Sequence, residues 1–439
     1  MKRYDAYKDS GIEWIGEIPT HWEVKRLKYI AEARPSNIDK KSKEGETEVF
    51  LCNYLDVYNN DFITAELPFM RSTASFTQIE KFSLREGDVI ATKDSESPDD
   101  IGIAALVKQD LGNVVCGYHL THIKPRTISG GYLFRQFQSD YVRSTFEVLA
   151  NGITRYALGV DDFNSLKVIV PLSTEQTAIA AYLDRKTAEI DELIESKRRL
   201  LELYEEEKTA IINQAVTRGI NPDAPMKDSG IDWLGEVPAH WGVMRVGHCV
   251  TVVRGASPRP SGDPRYFMGD FMPWITVKEV SNVNGKFVTS TTESLTREGS
   301  KLSRVIEPET LLMSNSGATL GVPKISMIKG CINDGSVAFI DFRDFLMRDF
   351  LYLFFASHTE IYREQMKGSG QPNLNTDIIK STEIALPPLE EQRSIIDYVE
   401  AEFDRIITQI VHTKRLIDLL TEYRTALISE VVTGKVRVV

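Results

Sequence analysis

The segment KDSGIEWIGEIPTHWEVKRL, from Lys8 to Leu27, returns as KDSGIDWLGEVPAHWGVMRV from Lys227 to Val246. A second segment, PLSTEQTAIAAYL from Pro171 to Leu183, returns without gaps as PPLEEQRSIIDYV from Pro387 to Val399. Two unlike markers recurring in the same order identify a tandem duplication with its cut near Gly219. At 439 residues the chain exceeds what one hydrophobic core organises, so the copies predict two globular bodies on one plan.

After Pro171 the pattern changes. From Glu175 to Val216 there is neither Gly nor Pro, and Ile179, Leu183, Ile190, Ile194, Leu201, Tyr204 and Ile211 recur at helical spacing among charged residues. This predicts an amphipathic helix of about forty residues, about 60 Å long. Copy two repeats it through Ile395, Val399, Phe403, Ile406, Ile410, Ile417, Leu420, Leu427 and Val431. Each stripe is too long to bury against a compact domain, so each helix is expected to pack on the other. Proline closes the segment before each helix, Thr174 and Leu389 sit just outside the starts, and Ser173-Thr174 supply a cap for the first. A turn-rich linker from Thr217 to Gly230 joins the first helix to the second copy and is long enough to reverse direction.

The rest reads as mixed α/β (α+β). In copy one GDVIATKD (Gly87 to Asp94), IGIAALV and VVCGYHLTHIKP have strand character, and YLFRQFQSDYVRSTFEVLANG predicts one helix ending at Gly152. In copy two the strands are ETLLMSNSG (Glu309 to Gly317), VPKISMI and SVAFIDF, and RDFLYLFFASHTEIYREQMKG is the helix, ending at Gly368. Between markers the copies diverge: Ala33 to Ser83 shares little with Arg254 to Arg304. The boundaries are therefore set at residues 1–172, 173–218, 219–388 and 389–439, two globular halves each followed by a long helix.

Composition, 42% hydrophobic and 26% charged, belongs to a globular chain and excludes a disordered or fibrous one. The longest apolar run, from Phe345, is broken by Arg348 and Asp349, so no membrane span is expected. The opening MKRYDAYKDSG carries no apolar signal region, which predicts a cytoplasmic protein. Cys52, Cys116, Cys249 and Cys331 form no CxxC pair and read as core residues, with Cys116 and Cys331 at equivalent places. His119 and His122, three apart on a strand, fall on opposite faces, so no metal site is expected.

No catalytic centre is expected either. The nearest phosphate-loop candidate, Gly317 to Gly321, lacks the Lys and the hydroxyl residue, and no Asn/Asp-Pro-Pro-aromatic tetrapeptide marks an amino-methyltransferase. Pro98-Asp99 could open a metal-nuclease motif, but VKQD at Val107 is a poor continuation. No cofactor is called for.

A chain of two like halves suits a two-fold partner, and the DNA duplex is the commonest. Reading base edges needs Arg, Lys, Asn or Gln on loops or helix ends. Arg254, Arg259 and Arg265 gather on the Gly/Pro-rich loop RGASPRPSGDPRY, whereas Lys40, Lys41 and Lys43 are interleaved with acids and read as solvated. Arg155-Tyr156 after Gly152 align with Gln371-Pro372 after Gly368; Gln371 and Asn373 suit adenine, and Arg155 suits guanine or phosphate. Lys93 and Ser314-Asn315 end equivalent strands and join the candidates. Trp22 and Trp241 lie in shared sequence and read as shared core. The net charge of −11 runs against solo binding to DNA and assigns part of the positive surface to partners.

The His-Trp segments, the loops ATKDSESPDDIG and SNSGATLG, the stretches NGITRYALGVDDFNSLKVIVP and GSGQPNLNTDIIKSTEIALPP, and the PL-x-x-EQ helix openings occur in this order twice. In that arrangement the chain resembles the DNA-specificity subunit of Type I restriction-modification systems. The resemblance implies two target-recognition domains separated by two long antiparallel coiled-coil helices. Each domain would read one part of a bipartite double-stranded DNA target. The helices would set the spacer and dock two methyltransferase subunits, with restriction-translocase subunits joining in the restriction complex. Methylation with S-adenosylmethionine and ATP-driven restriction would reside in those partners. The competing reading is a coiled-coil scaffold that organises an assembly without reading DNA, which the acidity favours.

Overall fold

The computed structural model describes residues 2–282, 285–317, 319–365 and 373–438. The chain forms two compact units, one of Met1–Arg198 with Lys414–Val439 and one of Arg199–Thr413.

In the first unit a five-stranded sheet runs in the order Ala31–Pro35, Leu120–Pro125, Val89–Thr92, Ala104–Val107, Phe62–Ile63, antiparallel except for its last pair. A four-stranded sheet runs Met70–Ala74, Thr47–Cys52, Leu111–Cys116, Ser83–Leu84, with only the central pair parallel. The second unit repeats both plans. Its five strands are Thr251–Arg254, Ser336–Ile340, Thr310–Ser314, Pro323–Ser326 and Phe287–Val288, again with a parallel last pair. Its four are Glu293–Leu295, Met272–Ile275, Gly330–Ile332 and Arg304–Ile306, again with a parallel centre. The divergent inserts thus share one topology. Strand pairing needs an apolar face and matched length, not conserved side chains. All four cysteines are buried and free, and Cys52 pairs in register with Cys116.

One helix differs from expectation. The stretch read as continuous is two helices, Gly130–Phe137 and Asp140–Leu149, while its counterpart Arg348–Gln365 is unbroken. The Ser139 hydroxyl donates to the Gln136 carbonyl at 2.5 Å and competes with the helical ladder there. Gln138 turns inward to meet Asp61 and Arg135. Gly368, the expected end of the second helix, lies outside the described residues.

The long helices span Ser173–Arg218 and Leu389–Val432. The first begins two residues before Glu175, with Ser173 and Thr174 inside the helix instead of capping it, and its Glu175 carboxylate accepts the Leu172 N–H at 3.4 Å. Leu389 is likewise inside the second helix. In the first unit Ile179, Leu183, Ile190 and Ile194 share a core with Leu427, Ile428, Val431 and Val432. In the second unit Ala215 and Val216 share one with Ile395 and Val399. In each unit the start of one helix meets the end of the other, which is antiparallel pairing. Leu201 and Tyr204 are only half-buried.

The two markers meet inside each unit. Trp22 is fully buried, its indole N–H donates to Glu175 at 3.2 Å, and His21 bonds the same carboxylate at 3.0 Å. In the second unit His240 bonds Glu391 at 2.6 Å, and buried Trp241 has an indole N–H without a partner among the described residues. The neighbouring glutamine holds backbone groups: Gln176 accepts from Ser129 N–H and donates to the Pro171 carbonyl. Each helix ends at a glycine with positive φ, Gly219 at 74° and Gly434 at 76°, pressed against the buried tryptophan. A Cβ at Gly434 would stand 2.4 Å from Pro19, so the site needs glycine for space as well as for φ.

The second unit carries a pH-sensitive core. His358 stacks on Phe354 at 4.0 Å and meets the Trp233 ring edge at 4.4 Å. Its Nδ1 bonds the Phe354 carbonyl, and its Nε2 has no partner among the described residues. Burial pushes its pKa down to about 4 from 6.5. The unfolded chain therefore gains a proton near pH 6.5 that the folded chain refuses until about pH 4. Stability is lost as pH falls through that window, by at most about 1.4 kcal/mol per pH unit. His358→Phe is expected to shrink the difference between urea midpoints measured at about pH 7.5 and about pH 5. Equal losses in both proteins would refute this origin.

Candidate nucleic-acid interface

The candidate residues stand on a frame repeated in both units. The strand Val89–Thr92 delivers Lys93, whose N–H donates to the His119 carbonyl and whose carbonyl accepts from Leu158 N–H at 2.8 Å. The strand Thr310–Ser314 delivers Asn315, whose N–H donates to the Gly335 carbonyl and whose carbonyl accepts from Leu374 N–H at 2.8 Å. Asp94 then pairs with Ala157, as Ser316 pairs with Asn373. These bonds make Lys93 equivalent to Asn315, Asp94 to Ser316 and His119 to Gly335, while the side chains differ at every one.

In the first unit those side chains converge. Asp94 is buried; its Oδ1 accepts from Arg155 Nη2 at 2.6 Å and its Oδ2 meets His119 Nδ1 at 2.9 Å. Lys93 Nζ lies 4.5 Å from the centre of the Tyr118 ring and donates to the Ser36 carbonyl at 3.3 Å; burial holds its pKa below the usual lysine value. Tyr156, next in the chain to Arg155, pairs with Ser95 across the short ladder. Beside them opens a cleft of about 380 Å³ whose lining includes Tyr54, Tyr118 and His119. Sequence reading found Lys93, Arg155 and Tyr156 but not Asp94 or His119. A carboxylate next to a candidate lysine was the available signal for the first.

The second unit brings together fewer candidates. Arg254 Nε donates to the Asp334 carbonyl at 2.9 Å and Arg259 Nη2 to its carboxylate at 3.1 Å, so Asp334 gathers both. Arg265 stands apart, forked onto Asp263, and holds that carboxyl below the usual range. Ser314 is fully buried, its hydroxyl bonded to Thr319 and Val322; it closes the loop and presents nothing outward. Asn315 is also buried, and its amide has no partner among the described residues. Asn373 is exposed. Gln371 lies outside the described residues. Asp99, on the turn Pro98–Asp100, heads no metal cluster, and among the described residues no group of three potential ligands occurs.

Known proteins share this plan. Against the putative type I restriction enzyme MjaX specificity subunit of Methanocaldococcus jannaschii the chain is 24% identical over 97% of its length and 96% of the relative's. It is 23% identical to the EcoKI specificity subunit of Escherichia coli over 46% of this chain and 44% of that one. The fold matches the HsdS subunit from Thermoanaerobacter tengcongensis with a TM-score of 0.58 at 19% identity, covering 95% of this chain and 98% of that one. A chain solved in work on assembly and conformational transition of a type I restriction-modification system matches with a TM-score of 0.72 at 18% identity, covering 95% and 99%. The Type I restriction modification DNA specificity domain matches residues 19–203 and again residues 238–419, one match per copy. Two such matches on one repeated frame, covering well over half the chain, place it in the Type I restriction-modification DNA specificity family.

Proposed function

We propose that each globular half, residues 1–172 and 219–388, reads one part of a bipartite DNA target, and that the long helices set the spacer between the parts. As a member of its family the chain is a DNA-specificity subunit with two target-recognition domains, non-catalytic, working with DNA and with methyltransferase and restriction partners. Family membership favours DNA reading over a scaffold without it. The observation that carries the division of labour is the repeated frame with unlike side chains: Lys93, Asp94 and His119 in one copy stand where Asn315, Ser316 and Gly335 stand in the other.

The contacts proposed are Lys93, Arg155 and Tyr156 in the first half and Arg254, Arg259, Arg265, Asn315, Gln371 and Asn373 in the second. Ser314 enters only as the support of its loop. Two methyltransferase subunits are proposed to dock on the helices, with restriction-translocase subunits joining them. Apolar residues left exposed on the helices support docking: Leu416, Leu419 and Tyr423 in the first unit, Ile407 and Val411 in the second. Among the described residues no helix is long and apolar enough to cross a membrane, and a cytoplasmic location is proposed.

Exchanging Arg254 to Arg304 for the equivalent insert of a relative is expected to change one half of the methylated motif and leave the other intact. The readout is the mapping of methylated adenines in cells that express the chain with its methyltransferase. Joint change of both halves would defeat the modular reading.

A further inference from the structure

The first unit aims one guanidinium and holds it from behind. Arg155 is 55% exposed, yet it is not a free surface side chain: its Nη2 is fixed on the buried Asp94 carboxylate. Asp94 in turn is held by His119 at 2.9 Å, and the Tyr118 ring packs edge-on against that imidazole at 5.0 Å between centres. The backbone behind Arg155 is closed as well, since Asn151 and Ala157 exchange both backbone hydrogen bonds. Gly152 permits this closure, because a Cβ there would stand 2.0 Å from the Arg155 carbonyl oxygen.

The strand-end frame does not depend on these side chains: the second unit makes the bonds that place Lys93 and Asp94 with serine in place of Asp94 and glycine in place of His119. A buried carboxylate on the back of an exposed guanidinium, at a place where the other copy has serine, is explained by aiming it. Nη2 is engaged by Asp94 at 2.6 Å and lies 3.2 Å from His119 Nδ1, while Nε and Nη1 have no hydrogen-bond partner among the described residues and are left for a ligand; such a planar fork matches O6 and N7 of guanine in the major groove. A phosphate also accepts such a fork but carries no sequence information, so the mapped motif separates the two, and an adenine edge offers a donor where the fork brings another donor.

We propose that Arg155 reads a guanine in the DNA half-sequence belonging to the first unit, with Asp94 as its positioning residue and His119 holding Asp94. The inference rests on the DNA-reading proposal above, and the experiment separates the two. The chain is assembled with its methyltransferase subunits, and methylated motifs are mapped for the native protein, Arg155→Gln and Asp94→Ser, the last borrowing the side chain that the second unit tolerates at this place. A native complex without a bipartite motif would overturn the DNA-reading proposal itself. Given a motif, Arg155→Gln is expected to lower discrimination at one guanine position by about 5- to 150-fold. Asp94→Ser should weaken the same position less, and both variants should spare the half altered by the copy-two insert exchange. Unchanged motifs, uniform loss over all sequences, or a change at an A·T position would each overturn the assignment. Thermal melts of both variants identify any loss that comes from misfolding, and Arg155→Lys, which keeps the charge but not the fork, should also lose the guanine preference.

Discussion

Asp184→Ala is expected to destabilise the first unit by about 3 kcal/mol, near the lower end of what removing one partner of a buried ion pair costs. Arg135 is fully buried, and its Nε and Nη2 bond Asp184 Oδ1 at 3.1 and 2.7 Å. Gln138 takes Nη1 at 2.6 Å and Thr187 takes Nη2 at 3.1 Å. Removing the carboxylate leaves the guanidinium without a counter-charge in the interior. Asp184 is itself partly exposed, so water reaches the vacated place and keeps the loss from being larger. Arg135→Met removes the charge along with its need for a partner and is expected to cost less than Asp184→Ala. Hydrogen exchange over residues 130–149, compared with residues 348–365, confines the effect to the first unit. Equal exchange in Asp184→Ala and the native protein would show that the pair does not anchor the long helix to its domain.

A loss of similar size is expected in the second unit from Gln392→Leu. Gln392 is fully buried; its Oε1 accepts from Met347 N–H at 2.8 Å and its Nε2 donates to the Phe345 and Pro387 carbonyls at 2.8 and 2.9 Å. Leucine fills nearly the same volume and offers no polar atom, so three backbone groups lose their partner and little room is left for water. At about 1–3 kcal/mol for each of the three groups left unsatisfied, the expected cost is roughly 3–9 kcal/mol. Chemical denaturation should show an early transition in the variant, read by hydrogen exchange over residues 348–365. A native-like midpoint would mean that the glutamine is dispensable to the joint between helix and domain.

The second prediction concerns a position the repeated markers had already exposed, and the first a residue just beyond them. The Glu-Gln pair could be recognised as a recurring signal, but its two duties could not be separated from spacing alone. Glutamate binds the His-Trp segment, while glutamine satisfies backbone groups more than forty residues away in the chain. The helices were legible because a run free of Gly and Pro with one apolar stripe is a local pattern. The break at Gln138 and Ser139 was not, because it depends on Asp61 and Arg135 drawing Gln138 inward. Ser314 shows the same limit: a serine at a strand end reads as an outward donor until the fold reveals what its hydroxyl already bonds.

By itself the sequence determined the duplication, the two long helices, the buried tryptophans of the markers and the regions where the copies differ. Each of these follows from identity or periodicity along the chain, which local chemistry preserves. Only the tertiary structure decided that the divergent inserts share one sheet topology. Pairing depends on which strands lie side by side, and unrelated side chains can present the same apolar face. Only the tertiary structure, too, brought Asp94, His119 and Arg155 onto one another across 61 residues of chain, at the end of one strand and the rim of a closed loop. The charge and reach of a side chain are written in its residue type, but its neighbour across the fold is set by the packing of everything between them.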